Sequence, residues 1–68
     1  MNDADFNKHK GEIAETTTRI ADWPINHQVI AVKILSKCSD PLIEVESRGK
    51  RGACHLSEMR FTGKFFEV

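Results

Sequence analysis

Arg48, Lys50 and Arg51 stand within four positions at the start of "RGKRGACHLSEM", residues 48–59, and His55, Ser57 and Glu58 follow. Cations this closely spaced can neutralise neighbouring phosphates of a nucleic-acid backbone. Arg60 and Lys64 extend the basic set, and Phe61 between them offers a ring on which a base can stack. The same charges have a plainer use, because Glu44, Glu46 and Glu58 can pair with them across strands. His55 fits either a ligand contact or an ordinary strand site.

Catalytic patterns are missing. There is no Gly-rich phosphate loop, no Gly-x-Ser-x-Gly elbow and no HExxH. Cys54 adjoins His55, but neighbours on a strand point to opposite faces and cannot act as nucleophile and base. His55 and Ser57 share a face without a carboxylate evidently placed to orient the imidazole. Cys38, Cys54, His27 and His55 contain no CxxC or HxxxH pair, so a metal site is not expected. The reading is non-enzymatic and free of cofactors.

A second set of residues suits a protein partner. Trp23 precedes Pro24, and Phe65-Phe66 lie near the C-terminus. If residues 64–68 form a strand, the two phenylalanines face opposite sides, one into the core and one outward. An exposed aromatic on a terminal strand fits a partner or a homodimer edge.

The chain that must position these groups has 68 residues, enough for one small domain. Apolar residues make up 40% and charged ones 29%, a globular balance. Ten basic side chains offset ten acidic ones, so net charge gives no drive toward nucleic acid or membrane. The halves differ: residues 1–28 hold three Lys/Arg against five Asp/Glu, and residues 29–68 hold seven against five. The second half is therefore the anion-facing one. No apolar run approaches the ~18–20 residues of a membrane span, and "MNDADFNKHK" has no signal-like apolar core. Two cysteines are too few for a disulfide framework and indicate a reducing, cytoplasmic setting.

Residues 1–10 are polar apart from Phe6 and read as a flexible arm, leaving 11–68 as a single small β-barrel domain. In "GEIAETTTRIADWP", Ile13, Thr17, Ile20 and Ala21 share one helical face, and Pro24 closes the segment. The Thr16-Thr17-Thr18 run favours a strand instead. The helix is preferred, with the strand left open. "HQVIAVKILSK" alternates Ile30, Val32 and Ile34 against Val29, Ala31, Lys33 and Leu35, which makes the first set the fully apolar face. "CSDP" is a turn, and "LIEVESR" turns Ile43 and Val45 inward. "RGKRG" is a hairpin turn with Gly49 and Gly52 at positive φ. "ACHLS" follows with Cys54 and Leu56 on one face. The alternation then breaks phase, which a bulge or helical turn at "SEM" would explain. Gly63 bends the last strand. The fold expected is mainly β, a small antiparallel barrel of four to five strands, OB- or SH3-like, with an N-terminal helix or strand.

Part of this hairpin resembles S1 RNA-binding domains, where a glycine turn leads into Gly-x-x-His-x-Ser-Glu; Gly52, His55, Ser57 and Glu58 hold those places. Gly11, Ile13, Ile20 and Trp23 are similar to positions of the first S1 strand, whereas Glu15 and Thr17 replace its usual glycine and valine. Met59-Arg60 resembles the Met-Arg found in the family's single-domain bacterial initiation factor. Residues 28–37 form an extra strand between the matching pieces, and nine residues follow Met59. The resemblance implies an OB-type barrel that binds RNA. The reading is thus a binding module for RNA or single-stranded DNA, using Arg48, Lys50, Arg51, His55, Arg60, Phe61 and Lys64. The alternative is a small adaptor or inhibitor, of a phage or plasmid type, that binds protein through Trp23, Phe65 and Phe66.

Overall fold

The computed structural model describes residues 2–66. The elements run α1 (Asp3–Asn7), β1 (Glu12–Thr16), β2 (Gln28–Ser36), β3 (Leu42–Ser47), β4 (Lys50–His55), a 3₁₀ turn (Leu56–Glu58) and β5 (Met59–Phe65). All strand pairs are antiparallel, in the order β4-β3-β2-β1-β5. The mainly β architecture is as expected, but the sheet is not closed, because β4 and β5 remain its two edges. β1 to β4 form a consecutive meander and β5 returns beside β1. That order lacks the Greek-key crossover on which an OB barrel is built. No helix among the described residues is long and apolar enough to cross a membrane.

Residues 12–16 are a strand, not the preferred helix. Burial alternates strictly along β1, with Glu12, Ala14 and Thr16 inside, and a helix could not bury this set on one face. Beyond Thr16 the chain leaves the sheet as a loop closed by the Ile20–Trp23 bridge. The expected helical face therefore never forms. Residues 3–7, expected within the arm, form a short helix capped by Asn2, whose Oδ1 accepts from the Asp5 N–H at 2.8 Å. Phe6 is buried and seals one side of the core.

β3 behaves as its pattern dictates, with Ile43, Val45 and Ser47 buried and Glu44 and Glu46 turned outward. Full burial of a side chain such as Ile43 stabilises by about 1.5–3 kcal/mol. β2 does not. Its core residues are Val29 and Ala31, from the face that looked mixed, while Ile30 and Val32 are only partly buried. Register shifts between Ala31 and Lys33 and between Ile34 and Ser36 each add a residue to β2. The first shift flips the parity, so Ile34 lies opposite the buried Ile43 and packs against the core. Two such irregularities in one strand also bend the sheet.

The β3–β4 hairpin closes through Arg48-Gly49, both at positive φ (51° and 82°). That is the pattern of a type I′ turn, whose twist matches the strands it joins. Gly52 is not at positive φ and lies within β4. The break of phase after His55 is the 3₁₀ turn, which delivers Met59 into the core.

Candidate nucleic-acid interface

Thr16 anchors the long β1–β2 loop. Its hydroxyl donates to the Pro24 carbonyl at 2.7 Å and accepts from the His27 N–H at 3.0 Å. Its backbone N–H donates to the His27 carbonyl, and its carbonyl accepts from the Asn26 N–H. The loop is thereby folded back over the hairpin end of the sheet. Trp23 lies there against Gly52, with its indole stacked on the His27 imidazole (ring centroids 5.5 Å apart, planes 10° apart). His27 Nε2 and the buried Ser47 Oγ share a hydrogen bond of 2.8 Å, which fixes the lower ring of the stack.

Arg48 and Lys50 stand beside this stack, exposed, with no carboxylate within ion-pair distance among the described residues. Together with Trp23, His27 and Gly52 they line a groove of about 430 Å³. A second groove, of about 610 Å³, is lined by Ile13, Pro24, Ile30 and Phe66 as well as by His27 and Arg48. Both volumes fall in the range of ~300–1,000 Å³ usual for ligand sites.

Of the remaining basic candidates, Arg51 also lines the first groove but is ion-paired, whereas Arg60 and Lys64 stand on β5. Arg51 is 3.1 Å from Glu44 and 3.5 Å from Glu46. Arg60 pairs with Glu15 across the β1–β5 ladder. Lys64 is exposed on β5. Phe61 is half-buried, its ring stacked on His9 at 4.2 Å, so it offers no open platform. Phe65 and Phe66 are both exposed, 49% and 56%, which corrects the expectation that one of them enters the core. The cause is the irregular β1–β5 pairing. Glu12 faces Phe65 while Ala14 faces Phe61, so β5 carries two extra residues around Gly63, whose φ is 81°.

His55 sits at the opposite end of β4 from Lys50, about 17 Å away at ~3.3 Å per residue. Its Nδ1 donates to the Asp40 carbonyl at 2.8 Å, and its backbone N–H donates to Glu58 Oε1 at 2.9 Å. Ser57 donates to Asp40 through its hydroxyl (2.6 Å) and its backbone N–H (3.0 Å). These bonds from Ser57 hold the Asp40 carboxyl below its ordinary pKa. The His-Ser-Glu group thus ties the 38–41 turn to the 3₁₀ turn. Burial raises the Cys54 thiol to about 11, and Cys38 is exposed. Among the described residues no three His, Cys, Asp or Glu side chains converge as a metal site would require.

Sequence spacing does not reveal the Trp23–His27 stack as a unit. Its one signal is a glycine at 52 that no turn requires, since a strand glycine often marks a close approach by another group. The chain matches no protein-family model, no curated protein and no solved structure.

Proposed function

We propose that the chain is a non-enzymatic module that binds single-stranded nucleic acid, RNA foremost, at its hairpin end. One observation carries this reading: two cations without acidic partners among the described residues, Arg48 and Lys50, flank a ring stack on an open groove. Cations neutralise phosphates and a flat ring accepts a base, which is the usual pairing of features in single-strand sites. RNA is preferred on the likeness of residues 52–59 to an S1 segment. The likeness is local, since the connectivity is not that of a Greek-key barrel. His55, Arg60 and Phe61 leave the proposed interface because each is already engaged, and Arg51 stays on the groove wall with its charge offset by Glu44 and Glu46. A protein with two unpaired thiols suits a reducing, cytoplasmic setting.

The test is the anisotropy of a labelled oligouridine titrated with protein at several salt concentrations. Replacing both cations, Arg48→Asn with Lys50→Gln, should weaken binding and lower the salt slope by about 0.7 for each phosphate no longer neutralised. An unchanged slope removes the hairpin from the interface.

A second reading rests on Phe65 and Phe66, exposed together at the end of an edge strand. It makes the chain an adaptor or inhibitor with a protein partner, or a homodimer through that edge. A complex that survives nuclease and high salt but is lost in Phe65→Ser decides for it.

A further inference from the structure

The two grooves at the hairpin end are not separate. His27, Ser47 and Arg48 line both, so these three form a common wall between them. On one side lie Trp23 and Lys50, and on the other Pro24, Ile13, Ile30 and Phe66. Arg48 supplies the wall's fixed charge, at the turn where β3 meets β4.

We infer that this site takes a two-nucleotide step of a single strand, with one base in each groove and the phosphate between them on Arg48. The inference rests on the nucleic-acid reading above and names what that site distinguishes. The alternation of the surface is flat ring, cation, apolar floor, which matches base, phosphate, base. A lone nucleotide fills one groove and leaves the other open.

The acidic groups around the site agree with a single central phosphate. Glu46 lines the second groove, but its carboxylate is drawn to Arg51 at 3.5 Å and its charge is offset there. Asp22 lines the first groove with no cation in ion-pair distance among the described residues. Its charge makes a phosphate less welcome on that side of the wall. Phe66 gives the second groove its exposed ring, and it lies just past β5, held by its N–H donating to the Gly11 carbonyl at 2.9 Å.

Competition against a labelled oligouridine of about 8 nucleotides, a length suited to small single-strand sites, tests the proposal. The competitors are uridine monophosphate and the dinucleotide UpU. UpU should compete better than the monophosphate by about fivefold to a hundredfold, the worth of one added base stack. Phe66→Ser, at an exposed position, should erase that advantage while leaving the melting temperature nearly unchanged. Arg48→Asn should weaken UpU more than it weakens uncharged uridine. If the oligouridine binds yet UpU and the monophosphate compete equally, the two-groove assignment is overturned and the binding reading stands. Retention of the UpU advantage in Phe66→Ser overturns it as well. If the oligouridine does not bind at all, both fall together.

Discussion

The indole of Trp23 occupies the place where a side chain of residue 52 would stand: a Cβ built on Gly52 would be 2.8 Å from Trp23 Cη2 and 2.9 Å from Cζ3. A glycine inside a strand ordinarily weakens it, so alanine there should help by roughly 0.5–1 kcal/mol. At Gly52 the sign reverses. Gly52→Ala pushes the ring off the sheet and should destabilise by about 1–3 kcal/mol, the range for overpacking. Urea unfolding measures the loss. Emission from Trp23, the chain's single tryptophan, should shift to the red as the ring gains water.

Arg48 supplies a contrast, because its two roles pull apart. A non-glycine residue at positive φ is strained by about 1–2 kcal/mol, and asparagine tolerates that conformation better than arginine. Arg48→Asn also creates the Asn-Gly pair that type I′ hairpins favour. The melting temperature should therefore rise, on the order of 0.5 kcal/mol in stability. Affinity for oligouridine should fall in the same variant. A parallel loss of stability and binding would mean that Arg48 acts through packing and not through its charge.

Acid should loosen the tie between the 38–41 turn and the 3₁₀ turn. The Asp40 carboxyl is held below its ordinary value of 3.8 by the Ser57 hydroxyl and N–H. A carboxylate whose pKa is depressed on folding contributes stability above its unfolded pKa and loses it as pH falls through the folded value. Wild-type melting temperature should thus decline as pH drops from about 5 through about 3, and Asp40→Asn should flatten that part of the curve. An identical slope in both proteins would show that other carboxylates govern the acid limb.

Thiol chemistry reports on the core from the opposite direction. Cys38 is exposed and Cys54 is buried, with its pKa raised to about 11 by desolvation. The thiolate is the reactive form, so at about pH 8 one cysteine should react quickly with a disulfide reagent and the second only on unfolding. A thiol whose pKa is raised on folding adds stability below its unfolded value near 9.0, and that part is lost as pH climbs through about 11. Two fast thiols in the native protein would place Cys54 outside the core.

β3 was legible because its alternation and its burial coincide, Ile43 and Val45 inward and Glu44 and Glu46 outward. So was the 3₁₀ turn, since a break of parity between Leu56 and Met59 demands an irregularity. β2 misled because apolar residues occupy both faces, and hydrophobicity alone cannot say which set meets the core. Register decided it: Ala31 pairs with the buried Val45, and a shift at Val32 exchanges the faces halfway along. β1 misled for a related reason. Its inner face holds Glu12, Ala14 and Thr16, a set that no apolar pattern would select. The basic turn was visible as composition. Which of its cations stay unpaired depends on Glu44 and Glu46 reaching Arg51 across the hairpin, and spacing does not encode that choice.

Glu12 is the one buried carboxylate among the described residues, and both of its oxygens have partners. Oε1 accepts from His9 Nδ1 at 2.7 Å, within its own neighbourhood of chain, whereas Oε2 accepts from the N–H of Gly63 at 2.9 Å. The second partner lies 51 residues further along. A ribosome therefore makes the acid well before its distant donor. Until Gly63 is available, β1 has the β2 ladder on one side and an open edge on the other, and Glu12 has no reason to leave water. The arrival of β5 covers that edge and withdraws the carboxylate in one event, so completion of the sheet is deferred to the final strand of the fold.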